Sequence, residues 1–163
     1  MHIAILSDTH DNIWKLGQAM PNLSQAEAVI HCGDLVAPFV MQQIGEGIPE
    51  GPIHIVWGNN DGDTFRLTQV AARFPRITLH GESARLNLGG IRIGVTHYPE
   101  IARDLAAGGN FGLVAYGHDH RAHEEWIGDC LLLNPGEVMG MKGRSSLAVV
   151  DTSDRSVRWV ELP

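Results

Sequence analysis

Apolar residues occur along this chain in short runs, each cut off by a polar loop. The first, His2-Ile3-Ala4-Ile5-Leu6, has the length and β-branched content of a buried strand and stops at Ser7-Asp8-Thr9-His10-Asp11-Asn12. Beyond it Ile13, Leu16, Met20 and Leu23 recur near helical spacing. With Asn12 as N-cap and Pro21 near the end, they predict a helix over 13–23. A second strand, 28–32, runs into Gly33-Asp34. Pro38 opens a short helix over 38–44, and 45–52, crowded with glycine and proline, is predicted to be a loop. The strand at 53–57 is broken by Gly58-Asn59-Asn60-Asp61-Gly62, after which 64–74 offers a third helix. This half reads βαβαβα, an alternation that predicts a mostly parallel sheet.

The second half changes character. Residues 77–80, 84–88 and 91–95 form short alternating runs, the last two separated by Gly89-Gly90, a hairpin signal. A helix is predicted over 99–107, closed by Gly108-Gly109. A strand at 113–116 ends in Gly117-His118-Asp119-His120. Residues 124–127 and 130–133 read as a second hairpin turning at Gly128-Asp129, and strands at 146–151 and 156–162 close the chain. No repeat, low-complexity tract or linker divides it, so 1–163 is read as one domain.

Five of these strand ends carry side chains of the metal-binding kind: Asp8 with His10, Asp34, Asn59, His97, and His118 with His120. Chemistry in α/β folds collects where strands end and loops begin, and a parallel sheet would bring these ends together. Glycine directly precedes Asp34, Asn59 and His118, which permits tight turns and close backbone approach. The donors are imidazole, carboxylate and one amide oxygen, with no thiolate among them.

Composition narrows the class. Apolar residues make up 44% and charged residues 19% of 163, the profile of a globular domain with a proper core. A formal net charge of −7 argues against a nucleic acid or anionic membrane held by a broad basic surface, yet leaves room for a phosphorylated substrate beside bound cations. The two cysteines, Cys32 and Cys130, lack any close spacing and read as small buried thiols in a reduced, cytoplasmic protein. The N-terminus has no basic flank before its short apolar run, so it is not read as a signal peptide, and no stretch approaches membrane-spanning length.

Asp8-x-His10, Gly33-Asp34, Gly58-Asn59, His97 and Gly117-His118-x-His120, in that order, resemble the calcineurin-like metallophosphoesterase superfamily. The short chain and the Asn134-Pro135-Gly136 that follows resemble its compact bacterial and archaeal phosphodiesterase branch, which also includes the retromer subunit of the same fold. The resemblance spans essentially the whole chain. It implies a two-sheet αββα sandwich with a metal site at the C-terminal ends of the strands. It further implies a dinuclear centre, in which Asp8, His10 and His120 hold one metal, Asn59, His97 and His118 the other, and Asp34 bridges them. Two like-charged cations so close need a bridging carboxylate and hydroxide between them. The mixed donor set suits two divalent transition-metal ions, manganese first, with iron, zinc, nickel or cobalt also compatible. The implied function is hydrolysis of a small phosphoester, a diester before a monoester, by metal-bound hydroxide and without a protein nucleophile. Asp34, Asn59 and His118 are the expected catalytic residues, with His118 and His120 also lending charge to the phosphoryl oxygens. The rival expectation is a binding scaffold of the same fold, and the oligomeric state is left open.

Three departures from the family pattern stand out. Many relatives carry a general-acid His where this chain has Asn60, which has no proton to give at neutral pH; Asn60 is read as a substrate contact and Asp61 as the nearest substitute acid. His97 is followed by Tyr98-Pro99 where glycine is common, and Glu137 stands where a Ser commonly follows Asn-Pro-Gly. Arg121 is expected either to reach a phosphate oxygen or to form a rim salt bridge. Among the rest, His31 and His54 are read as satisfied core or face histidines, and His2, His80 and His123 as surface or edge residues. Asp11, Asp63 and Asp119 are read as solvated loop carboxylates. The four tryptophans, Trp14, Trp57, Trp126 and Trp159, are expected in the core or on sheet faces.

Overall fold

In the computed structural model, which describes residues 1–163, the parallel strands of the first half build only one of two sheets. β1 (His2–Leu6), β2 (Ala28–His31), β3 (Ile53–Ile55) and β4 (Ile77–Leu79) run parallel. β10 (Ser146–Asp151) and β11 (Val157–Glu161) extend the β1 side antiparallel, giving the order β11-β10-β1-β2-β3-β4. The second sheet comprises β5 (Ser83–Leu88), β6 (Ile91–Thr96), β7 (Leu113–Ala115), β8 (Ala122–Ile127) and β9 (Cys130–Pro135), in the order β5-β6-β7-β9-β8. Its centre is parallel and both edges are antiparallel. Helices α1 (Ile13–Leu23), α2 (Pro38–Gly47) and α3 (Thr64–Ala71) cover the outer face of the first sheet, and α4 (Pro99–Ala107) that of the second. The result is the αββα sandwich that the resemblance implied.

Side-chain alternation explains the layering. In β1, Ala4 and Leu6 join the core under the helices, whereas Ile3 and Ile5 join the core between the sheets. In β7, Leu113 and Ala115 face between the sheets and Val114 packs under α4. Both faces of these strands are buried, which is why they read as unbroken apolar runs rather than as alternating ones.

Three expectations are corrected. The first three residues of the 45–52 loop are helical, since α2 continues to Gly47. A Cβ at Gly45 would lie 2.4 Å from the Phe74 ring, so this glycine serves close packing between α2 and the segment after α3 rather than a turn. The donors are not gathered by one sheet: Asp8, Asp34 and Asn59 follow strands of the first, His97, His118 and His120 strands of the second. Trp14, in α1, is 76% exposed and in neither the core nor a sheet face, whereas Trp57 packs against the core and Trp126 and Trp159 lie on β8 and β11 as expected.

His31, at the end of β2, ties two of the loops together. Its Nδ1 accepts from the Gly33 N–H at 3.1 Å, so Nε2 carries the proton and donates to Thr9 Oγ1 at 2.8 Å. Complete burial pushes its pKa down from 6.5 to about 4. A histidine with a lowered folded pKa adds stability above its unfolded value and loses it as pH falls toward the folded one. In chelator-treated protein the unfolding free energy, measured in urea, is therefore expected to fall by about 3 kcal/mol more in the wild type than in His31→Gln between pH 6.5 and 4. Parallel pH curves for the two proteins would rule this out.

Candidate metal centre

The loops after β1, β2, β3, β6 and β7 all open at one end of the sandwich and are bonded to one another there. The Asp8 and His10 N–H groups donate to the Gly33 and Asp34 carbonyls at 3.1 Å each, and Gly117 N–H donates to His97 O at 3.1 Å. Asp61 locks the β2 and β3 loops together. Its carboxylate accepts from the backbone N–H groups of Gly58, Asp34, Leu35 and Val36 at 2.7 to 3.0 Å. That corrects its reading as a substitute acid, because both oxygens are already spent. Asp11 and Asp63 are likewise structural, accepting from Ala37 N–H and capping α3, and Asp119 accepts from the Asn134 amide.

Close approach and strain accompany this convergence. A Cβ on Gly58 would sit 2.2 Å from Asp34 Oδ1, and one on Gly117 would sit 2.0 Å from Ser7 Oγ. Asp8, His10, Asp34, His118 and His120 all have positive φ, between 41° and 75°. Such backbone costs non-glycine residues roughly 1 kcal/mol or more each and persists only where surrounding bonds over-determine it.

All seven predicted donors meet. Asp34 Oδ2 lies 3.3 Å from His10 Nε2 and 3.4 Å from His97 Nε2. Asp8 Oδ1 lies 3.6 Å from His10 Nε2 and 3.3 Å from His120 Nε2. Asn59 Oδ1 is 3.2 Å from His97 Nε2 and 2.9 Å from His118 Nδ1. Within this set, Asp8, His10 and His120 form one compact group of ligand atoms, and Asp8, Asp34 and His97 a second. His97 donates Nδ1–H to Cys32 O at 2.8 Å, which turns its Nε2 lone pair to the centre.

The electrostatics call for cations. Asp8, Asp34 and Glu137 are at most 1% exposed, and their only ion-pair partners are histidines: no Lys or Arg reaches them. Asp8 Oδ1 and His10 Nε2 are buried without a hydrogen-bond partner. Burial would raise the Asp34 carboxyl, but the His10 and His97 imidazoles beside it and the two hydrogen bonds from Asn60 hold it far below the usual carboxylate range. Asp8 is lowered in the same way, chiefly by His10 and Ser7 against burial. The Asp34 and Asp8 carboxylates beside it in turn push His10 up to about 9, and His97 is raised by Asp34 against its own burial. Oxygen and imidazole donors, orphaned atoms and uncompensated buried carboxylates fit a pair of divalent cations, whose entry displaces protons from the histidines.

Asn60 is turned inward, donating its backbone N–H to Asp34 Oδ1 at 2.8 Å and its side-chain amide to Oδ2 at 2.7 Å. Arg121 is exposed and its guanidinium forms no rim ion pair; only its backbone N–H is engaged, by Asp119. The Tyr98 ring lies 5.3 Å from that of His97 and 5.4 Å from that of His118, walling one side of the mouth. Glu137, noted in the sequence only as a departure, accepts from His120 Nδ1 at 2.7 Å. An acid one residue past the end of a strand, after Asn134-Pro135-Gly136, was the one signal that could have marked it.

Comparison with known proteins bears on the fold and the family. Residues 1–155 match the sequence model of the calcineurin-like phosphoesterase superfamily domain. Phosphodiesterase MJ0936 of Methanocaldococcus jannaschii is 29% identical over 167 residues, with 99% of each chain covered. The structure of an archaeal phosphodiesterase superposes with a TM-score of 0.91 at 28% identity, covering 99% of this chain and 100% of that one. Vps29 from Chaetomium thermophilum shares the fold at a TM-score of 0.72 and 15% identity, covering 100% of this chain and 96% of its own. With the family model matching 155 of 163 residues and the fold shared over nearly the full length, this chain belongs to the calcineurin-like phosphoesterase superfamily.

Proposed function

We propose that this protein is a metal-dependent phosphodiesterase with a dinuclear centre, acting on a small phosphoester. The observation that carries the reading is the meeting of seven donors, with Asp34 Oδ2 between His10 and His97, beside buried atoms of Asp8 and His10 left without a hydrogen-bond partner. Asp8, His10 and His120 would hold one ion, Asn59, His97 and His118 the other, with Asp34 common to both. Manganese is the first choice of metal, and iron, zinc, nickel or cobalt suit the same donors. Ions held there would supply Lewis acidity toward a phosphoryl oxygen and a lowered pKa for water.

The chain's own residues prepare that site. Asn60 orients Asp34 through both carboxylate oxygens, and Asp61 keeps the loop that carries Asn59 and Asn60 against the Asp34 loop. Ser7 and Thr9 are fully buried, and Cys32 lies in the core between the sheets with its thiol pushed up by burial, so no protein nucleophile faces the mouth. His118 and Asn59 are the exposed donors, the side from which substrate would enter. A diester is favoured by the phosphodiesterase of 29% identity that the chain resembles over its whole length. Two free, buried cysteines agree with a reducing compartment such as the cytoplasm. A scaffold without catalysis would have no need to keep all seven donors and their strained backbone.

Chelated protein given Mn²⁺ is expected to hydrolyse bis-p-nitrophenyl phosphate, and a metal-independent or absent rate would defeat the proposal. Asp34→Asn is expected to bind fewer than two ions per chain and to lose more than about 100-fold in rate, beyond what loss of a merely supporting group costs. Two ions retained in that variant, by elemental analysis, would show the shared-ligand assignment to be wrong. Asp61→Asn is expected to lose about 2 kcal/mol of stability, because one amide oxygen cannot replace a carboxylate holding four N–H groups. Its rates on alkyl and nitrophenyl esters should fall in equal proportion. A selective loss on alkyl esters would instead restore its role as acid.

A further inference from the structure

Glu137 follows Asn134-Pro135-Gly136 at the end of β9 and is fully buried. One oxygen, Oε2, lies 2.7 Å from His120 Nδ1. The other, Oε1, accepts from the backbone N–H groups of Lys142 and Gly143 at 2.6 Å each. An ionised carboxylate can only accept, so His120 must carry its proton on Nδ1 toward Glu137. That leaves Nε2, 3.3 Å from Asp8 Oδ1, with a lone pair aimed at the first group of donors. The segment beyond Glu137 is laced to the first donor loop as well. Val138 and Met139 N–H donate to the Ser7 and Asp8 carbonyls at 3.0 Å, and the Asn12 amide donates to Met139 O at 2.8 Å.

We propose that Glu137 is a positioning residue for the cation held by Asp8, His10 and His120. One oxygen sets the protonated nitrogen and the ring orientation of His120, and the other fastens the exposed 142–143 segment to the same histidine. A buried carboxylate whose only ionic partner is an imidazole is costly unless positive charge lies beyond that ring, and the cation supplies it. The inference rests on the reading of the site as a cation pair.

Calorimetric titration of chelated wild type, E137Q and E137A with Mn²⁺ tests it. Wild type should take up two ions. E137A should bind one with unchanged affinity and the other about 10- to 100-fold more weakly. In E137Q the side-chain carbonyl can still accept from Lys142 and Gly143. Its NH₂ then faces His120 and drives the imidazole proton to Nε2, where it opposes the metal. E137Q should therefore show the same one-sided loss of affinity while the chelated protein unfolds at nearly the wild-type temperature, a combination that a purely structural role for Glu137 would not produce. Equal affinities at both positions in all three proteins would overturn the proposal. Failure of wild type to bind any ion would instead bring down the cation-pair reading first, before any substitution is considered.

Discussion

Three carboxylates taken out of water with no lysine or arginine beside them set the terms for this structure. Asp8, Asp34 and Glu137 are each buried, and each is left to imidazoles and N–H groups for compensation. Desolvating such groups costs several kcal/mol apiece, and neutral hydrogen bonds return only part of it. The protonated state favoured at His10 and the raised pKa of His97 show where positive charge is wanted. Left-handed backbone at five of the seven donors is a further cost borne at the same place. Convergence of costs on one small region is the physical signature of a site built for ligands, not for stability.

That region lies at the seam between two sheets, and the seam explains its geometry. Parallel strands all deliver their C-terminal ends to one side. Stacking one such sheet on another sets two rows of loops opposite each other, roughly 10 Å apart at the strands, a gap that side chains reaching from both rows can close. The six-stranded sheet contributes Asp8, His10, Asp34 and Asn59, and the five-stranded sheet contributes the imidazoles of His97, His118 and His120. Packing between the sheets, through Ile3, Ile5 and Ile30 on one side and Leu113, Leu131 and Leu133 on the other, thereby sets the distances among donors. His31 and Asp61 do the finer work, each holding two loops in register through bonds that leave their own side chains no part in the chemistry. Their neighbours in sequence suggested otherwise for Asp61, which shows how little a loop position says about where a side chain points.

Much of the fold and most of the candidate site were legible in the chain. Strands ending in Asp8, Asp34, Asn59, His97 and His118 announced themselves because an apolar run that stops at a metal-type donor is a local pattern. The βαβ rhythm carried the parallel half for the same reason. Helix α2 was cut short because glycine in a helix is judged by propensity, whereas Gly45 is there to admit the Phe74 ring from a different segment. Trp14 was expected inside because large aromatics usually are, yet its place in the first turn of α1 leaves it facing water.

The sequence alone determined which donors exist, their order, and the strand ends that carry them, since those depend on neighbours within a few residues. Tertiary structure decided the rest: that the donors divide between two sheets, that Asn60 turns onto Asp34, that Asp61 is an anchor, and that Glu137 stands behind His120. Each of these joins positions between 17 and 38 residues apart, or unites separate sheets. Contacts of that kind follow from how layers pack, and no local pattern of polar and apolar residues encodes them.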